Sequence, residues 1–119
     1  MSDQPSRAAA DVLAERQRQI DGENRDAHND DTLGFGEMAR AAACYAIVGS
    51  LAGRRDEVVE LSMEHGAVPV FRVKWPWEWH WWKPRNQRRD LVRAGALIIA
   101  EIERMDRALE RVGDGKAKS

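Results

Sequence analysis

The sequence concentrates its aromatic side chains in one short segment. All five tryptophans lie within residues 75–82, whereas the 119-residue chain contains only one tyrosine and two phenylalanines. An indole buries on the order of 150–250 Å² when it is covered, so five of them form a large aromatic surface. Exposed aromatic patches of this size are typical of binding sites. We therefore expect this Trp-rich segment to bind a ligand or a partner through Trp75, Trp77, Trp79, Trp81 and Trp82.

Basic side chains surround the Trp-rich segment. Residues 72–93 contain seven basic residues and two acidic ones. A helix is expected to begin after Asn86, and its first turn would add free N–H groups and the positive end of a helix dipole. Indole faces for a base, cations for phosphate and a helix N-terminus are the components of a nucleotide site. The residues predicted to contact phosphate or carboxylate groups are Lys83, Arg85, Arg88 and Arg89.

A structural interpretation of the same segment is also open. The indoles would then plug one end of a thin helical bundle, with Pro76 and Pro84 fixing the loop. Residues 21–37 contain six acidic residues and one basic residue, and they would pair with the arginines of residues 72–93. A third interpretation is a surface that binds only protein. A long nucleic acid strand is disfavoured, because a net charge of -1 gives little electrostatic steering.

An acidic stretch with one histidine forms a second candidate site. One imidazole and three carboxylates lie within ten residues, and such ligands suit Mg²⁺ or Mn²⁺. The alternative is a solvated loop in which an Asp or Thr side chain caps the next helix. The candidate metal ligands are His28, Asp30, Asp31 and Glu37.

Two pairs of acidic residues have the i, i+3 spacing that places both on one helix face. Glu57-x-x-Glu60 and Glu103-x-x-Asp106 resemble the carboxylate pattern of the all-α nucleoside triphosphate pyrophosphatases, the MazG-like family. The resemblance implies an alternative function, hydrolysis of a nucleoside triphosphate to monophosphate and pyrophosphate with Mg²⁺ as cofactor. A variant of this hypothesis uses as catalytic residues Glu37, Asp90 and Glu101.

Hydrophobic periodicity predicts an all-α fold, a compact bundle of three or four helices within one domain spanning residues 1–119. The first helix is capped by Ser6 and has an apolar face. Its other face consists of Glu, Arg and Gln and should lie at the surface. The second is apolar all round and should be buried. The Trp-rich segment is expected to be an irregular loop before a long C-terminal helix that ends before Gly113, between flexible tails at 1–6 and 113–119. The predicted helices span residues 7–22, 36–50, 54–65 and 86–112, with 67–75 extended.

The last helix carries an apolar heptad seam. Its positions recur at alternating steps of four and three residues, the pattern of a coiled coil. Val92 and Ile99 widen the seam, so we expect its N-terminal half to face the core and its C-terminal half to contact a partner subunit. Self-association is expected through this helix or through complementary charged faces. The seam consists of Leu91, Gly95, Ile98, Ile102, Met105, Leu109 and Val112.

Composition excludes several classes of protein. Nineteen basic and 20 acidic residues exclude a histone-like, wholly basic nucleic-acid binder. The single cysteine, Cys44, excludes an intramolecular disulfide and a cysteine-based zinc site, and we expect it to be an inert core thiol in a reducing cytosol. No apolar run approaches the roughly 18 residues of a membrane span, and the N-terminus has no signal-peptide pattern. We therefore expect a cytoplasmic protein.

Five parts of the sequence stand out together: AERQRQI (14–20), HNDD (28–31), GEMARAAACYA (36–46), WPW and WWKP (75–84) and RRDLVRAGALIIAEIERMDRA (88–108). They resemble a family of small phage and prophage proteins. The resemblance implies a cytoplasmic protein in an infected bacterium. By analogy it implies a non-catalytic, often oligomeric binding protein that sequesters a nucleotide-type immune signal or blocks a host defence partner, and we expect no cofactor. Residues 49–73 depart from the shorter linker expected in that family.

Overall fold

The structure is a computed structural model that describes residues 4–22, 27–51, 56–57, 59–60, 67–68 and 73–117. It confirms the predicted all-α class. Two short strands, β1 (Ala67–Val68) and β2 (Val73–Lys74), pair antiparallel with Ala67 opposite Lys74. Of the helix predicted over 54–65, residues 56–57 and 59–60 are helical, and the others lie outside the described residues. The helices named here are α1 (Arg7–Gly22), α2 (Ala27–Asp30), α3 (Glu37–Gly49) and α4 (Gln87–Ala117).

Side-chain caps define the starts of α1 and α4. The Ser6 hydroxyl accepts a hydrogen bond from the backbone nitrogen of Ala9 at 3.1 Å. The side-chain oxygen Oδ1 of Asn86 accepts one from the backbone nitrogen of Arg89 at 2.9 Å. Both predicted caps are therefore confirmed. The predicted end of the last helix is wrong, because α4 continues through Gly113 to Ala117. A glycine inside a helix costs only about 1 kcal/mol relative to alanine, which does not by itself end a helix.

The core lies where α3 and α4 pack together beneath the Trp-rich segment. The apolar run of α3 is buried, as predicted, and its small side chains allow close packing. Gly95 serves the same purpose between α4 and α1, since a Cβ there would lie 3.2 Å from both Cγ atoms of Val12. No helix among the described residues is long and apolar enough to cross a membrane. The core cluster comprises Ala41, Ala42, Cys44, Tyr45, Val48, Trp75, Trp82, Ala94 and Leu97.

The face of α4 that packs in the core differs from the predicted seam. Val92 is buried as expected, but Leu91 and Ile98 of the N-terminal half are each 48% exposed. Small residues and Leu97 make the core contacts of this half instead, since α1 and α3 pack on the adjoining face of the helix. An apolar stripe therefore remains exposed along α4, formed by Leu91, Ile98, Ile102, Met105, Leu109 and Val112.

Candidate ligand site

Two of the five indoles belong to the core. Trp75 and Trp82 are buried, and their ring centroids lie 5.6 Å and 4.8 Å from that of Tyr45 on α3. The indole nitrogen of Trp75 donates a hydrogen bond to the carbonyl oxygen of Glu78 at 3.1 Å. The interpretation in which the indoles plug one end of the helical bundle therefore describes Trp75 and Trp82.

The other three indoles lie closer to the surface. The segment is irregular, as predicted, apart from one 3-10 turn at Trp79–Trp81. Trp77 packs edge-on against Trp75 with centroids 5.4 Å apart, and the Trp81 ring lies 6.0 Å from the Lys83 ammonium. Trp79 is the most exposed of the five, at 39%. The segment thus combines core and surface indoles.

Hydrogen bonds from α3 and α4 hold the end of the segment in place. The Tyr45 hydroxyl accepts a hydrogen bond from the backbone nitrogen of Lys83 at 3.1 Å and donates one to the carbonyl of Trp81 at 3.3 Å. The Arg93 guanidinium donates to the carbonyl of Lys83 and also lies over the Tyr45 ring, 5.6 Å from its centroid. The backbone nitrogen of Arg85 donates to the Asp90 carboxylate at 2.9 Å.

A cavity of about 300 Å³, which we call the indole cavity, lies between the Trp-rich segment and helices α1, α3 and α4. Four aromatic rings and four cationic side chains line it, together with one carboxylate. This arrangement joins stacking surfaces to phosphate-binding groups in one place. Its lining residues include Tyr45, Trp75, Trp77 and Trp81, the cations Arg18, Lys83, Arg85 and Arg93, and Glu15, Gln19, Gly22 and Leu97.

Glu15 is the carboxylate of this cavity, and its oxygens are engaged by neighbours. They accept hydrogen bonds from Arg18 at 2.7 Å and 2.8 Å and from the Gln19 amide at 3.1 Å, and Glu15 also pairs with Arg89. Burial raises the pKa of Glu15, but the hydrogen bonds and charge of Arg18 and the charge of Arg89 outweigh it and hold the pKa below its ordinary value of 4.5. Glu15 is therefore a stable anion within the cavity wall.

Comparisons with protein-family models, curated proteins and solved structures find no match for this chain. The function is therefore inferred from the geometry of the site.

The structure divides the predicted cations between two cavities. Lys83 and Arg85 line the indole cavity, whereas Arg88 and Arg89 line a neighbouring cavity of about 420 Å³. There Arg88 pairs with Asp11 at 2.8 Å, and Arg89 pairs with Glu15. Neither Trp79 nor Trp82 is among the residues that line the indole cavity.

Seven lining residues were absent from the predicted ligand contacts. Gln19 and Glu15 lie on the α1 face predicted to be at the surface, and that prediction is wrong for these two buried side chains. The i, i+3 and i, i+4 spacing of Glu15 with its α1 neighbours was the available signal. The seven missed residues are Glu15, Arg18, Gln19, Gly22, Tyr45, Arg93 and Leu97.

Arginines engage the acidic residues predicted to bind a metal. Asp30 is buried and pairs with Arg16 at 2.9 Å, and Asp31 pairs with Arg107 at 2.9 Å and Arg111 at 3.1 Å. The hydrogen bond from Arg107 is the main cause that holds the pKa of Asp31 below 3.8. The predicted pairing of this loop with the arginines of residues 72–93 is wrong for Asp30 and Asp31.

Glu37, another candidate metal ligand, has a different partner. Glu37 accepts a hydrogen bond from the backbone nitrogen of Phe35 at 2.7 Å, and the side chain of His28 lies outside the described part. Within the described ranges, no group of three His, Cys, Asp or Glu residues could hold a metal ion.

The carboxylates of the alternative enzymatic hypothesis are dispersed. Asp90 and Glu101 lie on α4 roughly 16 Å apart along its axis, given a rise of about 1.5 Å per residue. Asp90 is buried beside the backbone of Arg85, and Glu101 pairs with Arg104. Of the second i, i+3 pair, Glu103 accepts a hydrogen bond from Arg16 at 3.0 Å. Its other member, Asp106, is exposed, and so are Glu57 and Glu60, which form the first i, i+3 pair.

Proposed function

We propose that this chain is a non-catalytic binding protein that captures a nucleotide-like ligand in the indole cavity. The observation that supports it is the presence of three indoles and four cationic side chains around one cavity. Indole faces stack on bases, and guanidinium and ammonium groups bind phosphate. The volume of the indole cavity lies at the lower end of the range of about 300–1,000 Å³ for ligand pockets, which favours a small ligand over a nucleic acid strand.

The resemblance to phage and prophage proteins suggests the biological setting of this proposal. A protein that sequesters a nucleotide-type immune signal needs affinity and a closed site rather than turnover. The buried lining residues favour a small molecule over a host defence protein as the ligand, because a protein surface cannot reach Trp75 or Gln19. The carboxylate of the cavity, Glu15, already accepts hydrogen bonds from Arg18 and Gln19, which favours capture without hydrolysis.

Titration of the full chain tests the proposal. Cyclic dinucleotides, ADP-ribose derivatives, deoxynucleoside triphosphates and nucleoside 5′-monophosphates are added while tryptophan fluorescence and thermal stability are followed. At least one ligand is expected to quench fluorescence and raise the melting temperature. Trp81→Ala is expected to weaken binding by about 5- to 150-fold, the value of one stacked base, whereas Trp79→Ala, outside the cavity lining, leaves affinity near that of the wild type. No quenching and no thermal shift across the panel would reject the proposal.

We also propose that a second copy of this chain covers the exposed apolar stripe of α4. The stripe residues are 48–70% exposed, although they are large and hydrophobic. Their heptad spacing makes the stripe complementary to itself, since a coiled-coil seam packs against an equivalent seam. From Leu91 to Val112 it extends over roughly 32 Å of helix, long enough for several layers of contact.

A further inference from the structure

Arg93 is a buried cation that has no carboxylate partner among the residues described. Its exposed fraction is 9%, and its hydrogen bonds go to two neutral oxygens, the Lys83 carbonyl and, at 3.5 Å, the Tyr45 hydroxyl. Its Nε–H group has no acceptor within the described part of the chain. Arg16, which is equally buried, instead pairs with Asp30 and Glu103. Burial of a charge without a counter-ion is costly, so Arg93 lacks the anion that its position requires.

Gln19 adds a second unsatisfied atom to the same cavity. The side chain is 3% exposed, and its amide nitrogen donates to Glu15. Its amide oxygen Oε1 receives no hydrogen bond from any residue that the structure describes. Glu15 does not serve as the counter-ion of Arg93, because its oxygens are engaged by Arg18, Gln19 and Arg89. Two residues in the wall of the cavity therefore each carry a buried polar atom, one donor and one acceptor, that has no partner among the described residues.

The depth of these groups distinguishes them from the other cations of the cavity. Lys83 and Arg85 are exposed and lie at its solvent side, whereas Arg93 and Gln19 are buried. The core residue Leu97 also lines the cavity. Because Arg93, Gln19 and Leu97 are all buried, we expect a ligand group that reaches Arg93 to be the end of the ligand rather than an internal linkage.

We propose that the ligand carries a terminal phosphate monoester and that Arg93 binds this phosphate. The inference rests on the proposed function and specifies its ligand class. A terminal phosphate supplies the missing counter-ion of the Arg93 guanidinium, while its ester oxygen leads back toward Trp77 and Trp81. An internal phosphodiester, as in a cyclic dinucleotide, does not fit this arrangement.

Paired nucleotides and nucleosides test the assignment. The four common nucleoside 5′-monophosphates and their nucleosides are titrated into the full chain by calorimetry at constant ionic strength. At least one monophosphate is expected to bind about 10- to 100-fold more tightly than its nucleoside, the value of hydrogen bonds to a charged group. This preference should persist in high salt, because buried charge pairs are screened less than exposed ones.

Variants of α4 assign the preference to one residue. Arg93→Gln is expected to bring the monophosphate and the nucleoside to equal affinity. Arg93→Lys keeps the charge without the planar guanidinium and is expected to retain only part of the preference. Arg104→Gln is the matched control, because it also removes an arginine of α4 but one that pairs with Glu101 and does not line the cavity. Its preference should equal that of the wild type.

The outcomes separate this inference from the proposed function. Equal binding of nucleotides and nucleosides by the wild type would overturn the phosphate assignment and leave nucleotide-like binding supported. An undiminished preference in Arg93→Gln, or in Arg93→Lys where circular dichroism shows that Arg93→Gln does not fold, would overturn the role of Arg93. Absence of binding by every probe, together with a failed fluorescence panel, would overturn both.

Discussion

The hydroxyl oxygen of Tyr45 lies 3.1 Å from the backbone nitrogen of Lys83 and 3.3 Å from the carbonyl oxygen of Trp81. One side chain of α3 therefore satisfies main-chain groups on both sides of Trp82. The ring of Tyr45 also packs against Trp75 and Trp82. Because Trp81 and Lys83 line the indole cavity, the shape of that cavity depends on this hydroxyl.

Tyr45→Phe removes the hydroxyl and keeps the ring. We expect the free energy of unfolding to fall by about 1–3 kcal/mol, because the part-buried amide of Lys83 loses its acceptor. Chemical denaturation measures the change. Thr32→Val is a suitable control, since its hydroxyl donates to a backbone carbonyl at an exposed position. An equally small effect of both substitutions would contradict the role assigned to Tyr45.

The buried pair of Arg16 and Asp30 should contribute far more to stability than an exposed pair. Asp30→Ala removes the buried carboxylate that pairs with the buried Arg16 guanidinium, which also pairs with the half-exposed Glu103 at 3.0 Å. We expect a loss of about 3–5 kcal/mol in the free energy of unfolding, because Arg16 stays buried after its buried counter-ion is removed.

Asp11→Ala is the matched control for that experiment. Asp11 pairs with Arg88 at 2.8 Å, but both side chains are at least 40% exposed. The expected loss is below about 1 kcal/mol, the usual contribution of a surface ion pair. Equal losses in the two variants, measured by the same denaturant titration, would show that burial does not strengthen the dependence on Asp30.

Local signals explain which helix ends could be predicted from the sequence. Ser6 and Asn86 cap backbone groups three residues away, so their roles are legible in the sequence. Gly113 carries no comparable information, because a glycine ends a helix only when the chain turns there, and α4 continues instead. The starts of α1 and α4 were therefore predictable, and the end of α4 was not.

Long-range packing explains why the site was predicted only in part. The aromatic and basic composition of residues 72–93 indicated the correct region, but an irregular segment has no periodicity to show which indoles face the core. The position of α3 decides that Trp82 is buried while Trp79 is exposed. Likewise, Glu15 lies on a polar helix face and is buried by contact with Arg89, 74 residues further along the chain.

Acid should weaken the contribution of Glu15 to stability. Its pKa in the folded chain lies below 4.5, so the unfolded chain takes up a proton more readily as the pH falls. The stabilisation is therefore fully present above pH 4.5 and is lost as the pH falls through the lower, folded pKa. Glu15→Gln is expected to be less stable at neutral pH and to show a flatter decline in acid. Unfolding curves across this pH range measure both effects, and parallel declines in the two proteins would contradict the prediction.

The apolar stripe of α4 should determine the oligomeric state. Ile102 is 51% exposed at the centre of the stripe, and Ile102→Glu would place a charge where a second copy is proposed to pack. Since burial of an unpaired carboxylate is strongly unfavourable, the variant is expected to sediment as a monomer under conditions where the wild type is a dimer or larger. Phe35→Glu is the control, because Phe35 is also an exposed apolar residue, at 86%, but lies outside α4. A wild type that stays monomeric at every concentration, or a Phe35→Glu variant that dissociates as fully as Ile102→Glu, would contradict packing through the stripe.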